Sequence, residues 1–324
     1  MVVSPYFVRD STDMVTDELS TVFDAVQIQG VVSGGFAVGG RWTTRFVLSD
    51  PLKLIAIVRG TAQLEADGIA APIHLVAGDV AILNNRSWAV LTGGTGDGPP
   101  VPFAVTEPNM FAPIDGIDTA ATDIDVCIGG HVDVNEAGRQ LLMAALPPVG
   151  HVRSGRVEAT GLHATLNRLV DEVTGNRLGA AFAVRQYGQL LLLDVLRAYI
   201  SQQVARQSEV PQGWLRALTD TRLRPALHLM HSEPGKPWRL EELAKAATMS
   251  RTSFSERFRS VTGVPPLTYL SSWRMLLAQR ALRDSDTRVG DLAFELGYTS
   301  ESAFSNAFKR EVGVSPLRYR AAAR

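Results

Sequence analysis

The chain has 324 residues, a length that suits two domains better than one. Apolar residues make up 45% and charged residues 20%, which excludes a disordered or fibrous protein. The single cysteine, Cys127, excludes an intrachain disulfide and a structural zinc site built from several thiolates. The sequence shows neither a signal peptide nor an apolar run of the roughly 18–20 residues that span a membrane, so we expect a cytoplasmic protein.

The formal net charge of −1 hides an asymmetry along the chain. Residues 218–324 hold 17 Lys and Arg against 11 Asp and Glu, whereas residues 1–217 hold 15 against 22. A basic C-terminal third on an acidic body indicates a polyanionic partner for that third alone.

Short β-type runs separated by Gly, Asp and Asn turns fill much of residues 1–150. The runs cover residues 52–58, 62–66, 73–76, 80–83 and 88–91. Strands of this spacing are typical of a small antiparallel barrel or sandwich.

Helical periodicity replaces this pattern in residues 151–217. Leu162, Leu166 and Leu169 recur on one helical face, and a second apolar helix follows after Gly179. The sequence therefore predicts a helical hairpin followed by a polar linker. The hairpin either covers the barrel or faces another subunit of a homodimer.

The C-terminal segment contains an internal repeat. Shifted by 50 residues, 254–269 and 304–319 share eight identities in sixteen positions. Upstream, Leu243-Ala244 matches Leu292-Ala293 at a shift of 49, so one turn is a residue longer. Self-similarity at a fixed period marks two copies of one supersecondary unit.

Each copy reads as a short helix, a turn and a second helix, at about 239–262 and 289–312. Ser250 is a good N-cap for the second helix, and Gly263 and Gly313 are good C-terminal stops. This spacing is typical of helix-turn-helix units. Between them, a helix from about Pro266 to Asp284 would be roughly 28 Å long, close to the pitch of one DNA turn.

Phenylalanines on one face of each second helix predict which face is buried, and the opposite face is polar. Short polar side chains near a helix N-terminus can meet base edges in a major groove, while basic ones suit phosphates. The predicted base-reading residues are Thr252, Ser255, Glu256, Glu301, Ser302, Ser305 and Asn306. The predicted phosphate contacts are Arg251, Arg257, Arg259, Lys309 and Arg310.

Residues 218–324 resemble the DNA-binding domain of the AraC/XylS family of bacterial transcription regulators. The resemblance is carried by 243–263, the Trp273-Arg274 helix, 291–298, 303–310 and 313–320. It implies that double-stranded DNA is a partner and that the base-reading residues named above occupy the family's reading positions.

The N-terminal segment resembles, with fewer matching residues, the cupin-type sensor domain of one branch of that family. Gly60, the turn 77–79 and Leu146-Pro147-Pro148 carry this resemblance. It implies a small β-barrel that holds an effector, followed by helices used for dimerisation. The expected fold class is therefore α+β, with a barrel, a helical hairpin and an all-α double helix-turn-helix domain.

The histidines do not form the His-x-His pair of a metal-bearing cupin, so we expect no metal and no cofactor. Trp42, Arg45, Arg86 and Trp88 are candidates to line an effector opening. Cys127 is interpreted as a buried small residue.

Three functions stay open from the sequence. The first is a sequence-specific transcription regulator that is not an enzyme. The second is a metal-dependent cupin enzyme with an appended DNA tether. The third is an interaction protein whose barrel dimerises, or contacts RNA polymerase, without a ligand.

Overall fold

Alternating apolar residues fold the first half of the chain into two facing β-sheets. The structure is a computed structural model that describes residues 18–26, 28, 34–105, 111–113, 123–132, 134, 136–154, 160–175, 177–205 and 212–322. The six-stranded sheet runs, in spatial order, β11 (Val149–Val152), β6 (Val80–Asn84), β3 (Leu52–Arg59), β10 (Ile124–His131), β1 (Gly34–Gly39) and β9 (Phe111–Pro113). The five-stranded sheet runs β5 (Ile73–Val76), β4 (Thr61–Ala66), β7 (Trp88–Gly93), β2 (Trp42–Val47) and β8 (Val101–Pro102).

The two sheets share one apolar core, to which both inner faces contribute. Strand β4 shows the cause, since its residues alternate between exposed and buried along Thr61–Ala66. Phe36, Ile57 and Leu83 from the larger sheet meet Leu64 and Leu91 from the smaller one. Pairing is antiparallel except where the short strands β8 and β9 join β2 and β1. The predicted β-barrel or sandwich is confirmed.

Helices follow the strands. They are α1 (Glu18–Val26), α2 (Glu136–Ala145), α3 (Thr160–Thr174), α4 (Ala180–Ala205), α5 (Trp214–Thr219), α6 (Arg224–Ser232), α7 (Leu240–Ala246), α8 (Arg251–Thr262), α9 (Pro266–Asp284), α10 (Val289–Glu295), α11 (Glu301–Val312) and α12 (Pro316–Ala322). None of the helices in the described ranges is long and apolar enough to cross a membrane.

The chain divides into two compact units. The barrel unit comprises residues 27–219, so helices α3 and α4 belong with the strands. The helical unit comprises residues 220–324 together with the stretch up to residue 26. Helix α1 therefore packs with α6 and α9, although the sequence places it before the barrel.

Helices α3 and α4 pack side by side as a hairpin. Leu162, Leu166 and Leu169 are buried as expected, and the Thr165 hydroxyl donates to an Asp194 oxygen at 2.8 Å. On α4, Leu191 and Leu192 are buried, whereas the adjacent Leu190 is 47% exposed.

His231 of α6 is packed against two aromatic rings of α9. Its ring centroid lies 4.2 Å from Trp273 and 5.8 Å from Tyr269. Its Nε2 lies 2.9 Å from the Tyr269 hydroxyl oxygen. Burial, together with the charge of the neighbouring His228, lowers the pKa of His231 from 6.5 to about 4. The imidazole is therefore neutral in the folded chain at pH 7.

A pH-dependent loss of stability follows from this burial. The unfolded chain takes up a proton at His231 below about pH 6.5, whereas the folded chain resists until about pH 4, so stability is present at neutral pH and is lost as pH falls through that window. The loss attributable to His231 should reach about 3 kcal/mol near pH 4. Urea unfolding of the His231→Gln variant, followed by tryptophan fluorescence, should show a shallower pH dependence than wild type. The His163→Gln variant, which replaces an exposed histidine of α3, is the control and should follow wild type, and equal slopes in all three proteins would contradict the argument.

The turns of the two repeated units place different residues at an equivalent left-handed backbone position. Thr248 has φ of 55°, a left-handed conformation that costs a β-branched residue energy, and the equivalent Gly297 has φ of 76°. A Cβ on Gly297 would also lie 2.2 Å from the Gly235 carbonyl oxygen. The second unit therefore requires glycine, while the first tolerates a strained threonine.

Reciprocal substitutions should have opposite effects. Thr248→Gly should raise the free energy of unfolding by about 0.5–1 kcal/mol, because relief of strain exceeds the added chain entropy. Gly297→Ala should lower it by about 2 kcal/mol or more, through strain and overlap with the Gly235 carbonyl. Thermal unfolding measures both, and a destabilised Thr248→Gly protein would show that the threonine carries no strain.

Candidate nucleic-acid interface and effector cavity

The helices α8 and α11 begin and end in the same way. The Ser250 hydroxyl accepts a hydrogen bond from the Ser253 N–H at 3.2 Å, and the Ser300 hydroxyl accepts one from the Ala303 N–H at 3.1 Å. The left-handed glycines that end the helices are Gly263 (φ 85°) and Gly313 (φ 88°). Each helix thus has a side-chain N-cap and a glycine stop, which fix its length at 12 residues.

A repeated aromatic cluster holds the inner face of each of these helices. In the first unit the rings of Phe254 and Phe258 are 5.6 Å apart, and Phe258 meets Tyr269 edge-on at 5.5 Å. The equivalent rings of the second unit are Phe304, Phe308 and Tyr319, with distances of 5.8 and 5.5 Å. All four phenylalanines are fully buried, so the opposite face of each helix points outward.

The predicted base-reading residues lie on those outward faces. Thr252, Glu256, Glu301, Ser302 and Asn306 are exposed, whereas Ser255 and Ser305 are partly buried. Because they occupy the first two turns of a capped helix, their side chains are held by a rigid backbone and end in hydrogen-bonding groups.

The five side chains predicted to contact phosphate differ in whether they already form ion pairs within the protein. Arg259, Lys309 and Arg310 are exposed and have no ion-pair partner among the residues that the structure describes. Arg251 pairs with Glu241 of α7 at 3.1 Å, with both side chains mostly exposed, so water and salt weaken this pair.

Arg257 is held inside the helical unit. Its Nε and Nη2 atoms donate to one oxygen of Asp220, at 2.9 and 2.8 Å. The same carboxylate accepts the N–H groups of Arg222 and Leu223 just before α6. Arg257 therefore ties α8 to the segment that leads into α6, and its contact with phosphate stays a prediction.

Arg274 of α9 connects the two repeated units. Its Nε and Nη2 donate to the carbonyl oxygens of Pro234 and Lys236, at 2.7 and 2.8 Å, and the guanidinium lies 5.8 Å from the Tyr298 ring. A Cβ on Gly235 would lie 2.1 Å from the Glu295 carbonyl oxygen, so the loop before α7 touches the turn after α10 directly. The two helix-turn-helix units are thus fixed to each other at this point.

The barrel unit contains a cavity of about 370 Å³. Arg45 is the one member of the predicted effector set that lines it, and its guanidinium lies 4.7 Å above the Trp88 ring. The cavity wall comes mainly from β1, β2, β3 and β10.

Trp42, Arg86 and Trp88 do not line this cavity, the first two have structural contacts elsewhere, and their part in effector binding stays a prediction. The buried Trp42 indole donates to an Asp125 oxygen at 2.6 Å. Arg86 donates to the carbonyl oxygens of Asn84 and Asp67, at 3.1 and 2.9 Å. Trp42 begins β2 and packs in the core between the sheets, whereas Arg86 lies in the loop between β6 and β7.

Within the described ranges, no three His, Cys, Asp or Glu side chains are placed to hold a metal ion together. Asp79 serves the fold instead, since one oxygen accepts the Ser154 N–H at 2.8 Å and the other lies 2.8 Å from His151 Nε2. Desolvation raises the pKa of Asp79, but these hydrogen bonds outweigh it and lower the pKa below its usual value.

Two family models match the chain in succession. A cupin model matches residues 17–201, and a helix-turn-helix domain model matches residues 243–322. Among curated proteins, an AraC-like transcription regulator of Streptomyces lividans is 33% identical over 94% of this chain and 98% of its own length. One of Streptomyces antibioticus is 34% identical over the same shares.

The chain belongs to the AraC family of transcription regulators. Among solved structures, the DNA-binding domain of AdpA, a global transcriptional factor in complex with a target DNA, is 39% identical to it. That match covers 33% of this chain and 95% of the other, with a TM-score of 0.31. The predicted cupin-type domain, the double helix-turn-helix domain and the DNA-binding regulatory function are confirmed.

Two residues of this AraC-family regulator that were not predicted as sites, Arg274 and Lys53, have notable positions in the structure. Arg274 appeared only within a family motif, because its partners lie about 40 residues away in the chain. Lys53, which lines the barrel cavity, is the only lysine before residue 236 and interrupts an apolar run. A lone charge in a buried strand is the signal that could have identified it.

Loss of the Arg274 contacts should uncouple the two reading helices. Arg274→Met keeps the aliphatic stem but leaves the carbonyl oxygens of Pro234 and Lys236 without this donor. We call the two base sequences that the two reading helices contact the half-elements of the DNA site. Affinity for DNA that carries both half-elements should fall by about tenfold or more, and the preferred spacing between them should broaden. Binding to spacing libraries measures both effects. Arg280→Met, on the same helix with a weak 3.9 Å pair to Asp284, is the control, and an unchanged spacing preference in Arg274→Met would contradict the coupling.

Proposed function

We propose that α8 and α11 enter two adjacent major grooves on one face of double-stranded DNA. The observation that carries this proposal is the repeated anchoring of both helices, which leaves two equivalent polar faces exposed. The 19-residue helix α9 joins the units and is about 28 Å long, close to the roughly 34 Å of one DNA turn.

Different residues of the polar faces contribute to sequence recognition and to affinity. Asn306 pairs well with adenine through a bidentate contact, and Glu256 and Glu301 can accept a hydrogen bond from cytosine N4. The exposed cations Arg259, Lys309 and Arg310 suit phosphates, whose contacts release counterions and make binding depend on salt.

We further propose that the barrel unit binds a small-molecule effector in its cavity and that the regulator acts in the cytoplasm by binding rather than by catalysis. The cavity lies at the low end of the roughly 300–1,000 Å³ range of small-molecule sites. A ligand that binds there stabilises one state of the domain over another, which is how an effector changes DNA affinity.

We also propose that the regulator is a homodimer through α4. Phe182, Leu190 and Val204 are 63%, 47% and 57% exposed on this helix. At about 100° per residue they fall within an arc of roughly 80°, so they form one apolar stripe. Such a stripe is typical of a helix that packs against a second copy of itself.

Substitutions on α11 and α8 should separate sequence recognition from affinity. Asn306→Ala should relax base preference at one position of the site, at a cost of about 1–3 kcal/mol for the preferred base. Arg259→Ala should weaken binding to all sequences alike and should reduce the slope of log affinity against log salt by about one. Selection of bound genomic fragments and anisotropy titrations at several salt concentrations measure these effects.

Arg168→Ala, which removes an exposed charge from α3 in the barrel unit, is the control for both variants. If Asn306→Ala kept every base preference of wild type, the proposed placement of α11 in the groove would be wrong.

A further inference from the structure

The inner wall of the barrel cavity is apolar and uncharged. Phe36, Ile55, Leu91 and Cys127 line it and are each less than 5% exposed. Burial raises the pKa of the Cys127 thiol well above its usual value, and the charge of Asp125 raises it further. The thiol is therefore protonated at neutral pH, and this part of the cavity suits the body of an apolar molecule.

The mouth of the cavity has a different character. Lys53 on β3 and His131 on β10 stand directly opposite each other in the antiparallel pair, and both line the cavity. Gly129 leaves room for the lysine stem, since a Cβ there would lie 3.9 Å from Lys53 Cε. The ammonium lies 5.6 Å from the Phe46 ring centroid. Strand pairing therefore places a cation where the apolar wall ends.

This lysine lacks a close counter-ion in the described part of the chain. Desolvation by burial lowers the pKa of Lys53, and the charge of Asp50 opposes this shift. Asp50 itself lies 3.9 Å from His131 Nδ1, and no ion pair within 4 Å joins it to Lys53. Arg45 adds a second cation to the lining. Positive charge thus prevails at the mouth, and a partly desolvated ammonium gains most from an anion.

We propose that the cavity binds a small carboxylate with a compact apolar body, such as an aromatic or branched acid, and that Lys53 binds its carboxylate group. This inference rests on the proposed effector role of the barrel and names the ligand class. The apolar body packs against Phe36, Phe46 and Leu91, while the carboxylate accepts a charge-assisted hydrogen bond from the ammonium. Arg45 at the rim of the cavity adds to the attraction.

Probes that share a body and differ in the head group test this proposal on the full-length protein. Three bodies, phenylpropyl, cyclohexylpropyl and octyl, each carry a carboxylate, an alcohol or an ammonium group. Calorimetric titration should show at least one body whose carboxylate binds about tenfold or more tighter than its alcohol, with the ammonium binding most weakly. Acetate, which lacks the body, should bind more weakly than that carboxylate. If no carboxylate exceeded its matched alcohol and ammonium, the proposed ligand class would be wrong.

Two variants assign the binding to this cavity. Lys53→Met keeps the stem and removes the charge, so it should weaken carboxylate binding by about tenfold to a hundredfold and leave alcohol binding within about twofold. Gly129→Leu should weaken both probes, because the added side chain occupies the space beside Lys53. Arg168→Met is the charge-matched control on α3. Carboxylate affinity in Lys53→Met equal to that of wild type would overturn the assignment to Lys53.

DNA binding distinguishes a failure of this inference from a failure of the proposed function. Ligand-free wild type and Lys53→Met should bind the selected DNA site with equal affinity, because Lys53 lies in the barrel unit. Selective DNA binding without any carboxylate preference would refute the ligand class alone. Carboxylate binding that leaves DNA affinity unchanged would refute the effector role and keep the site.

Discussion

The burial of two phenylalanines, one helical turn apart, is the contact on which the rest of the DNA-binding unit depends. In each repeated unit the first ring packs on the second, and a tyrosine from the following helix meets the second ring edge-on. Each buried ring contributes roughly 1.5–3 kcal/mol by removal from water. Because this stripe fixes the rotation of α8 and α11 about their axes, it also decides which polar residues point outward. The serine caps and glycine stops then set where each helix begins and ends.

The orientation of the two helices relative to each other depends on a second set of contacts. Helix α9 spans both units, but a helix alone does not fix the turn that precedes the next unit. Two contacts supply that constraint. Arg274 donates to the carbonyl oxygens of Pro234 and Lys236. Gly235 and Gly297 lack side chains, so their backbones can approach each other closely. Burial lowers the pKa of Arg274, and the neighbouring Tyr298 partly opposes the shift. The guanidinium remains charged and keeps its donors directed at the loop.

The sequence predicts best the features that depend on local spacing. Each helix has phenylalanines four residues apart, a serine before it and a glycine after it, and the structure has each of these features. Each can be recognised from neighbouring residues in the sequence, because it depends on positions about one helical turn apart. The extra residue of the second turn lies between the left-handed residue and the serine cap, since two positions separate Thr248 from Ser250 and three separate Gly297 from Ser300.

Long-range pairing explains what the sequence could not predict. The cross-strand neighbours Lys53 and His131 are 78 positions apart, and no local pattern brings them together. The same holds for the pairing of Arg257 with Asp220, which lies 37 positions away in the chain. Trp42 is a large aromatic residue, as an effector site often needs, but it belongs to the core, where Asp125 on β10 of the facing sheet accepts its indole N–H.

The two ends of strand β10 explain why the cavity opens where it does. Near one end, Asp125 accepts the Trp42 indole at 2.6 Å and the Thr61 N–H at 3.2 Å. Gly60 is required there, since a Cβ would lie 1.6 Å from the carboxylate. Desolvation raises the pKa of Asp125, although these hydrogen bonds oppose the rise, so this end is tightly packed. His131 ends the strand about 20 Å away, at the rise of roughly 3.3 Å per residue. The buried Trp42–Asp125 pair closes this end, and the cavity is lined towards the other end by Cys127, Ile128, Gly129 and His131 of β10, beside Lys53.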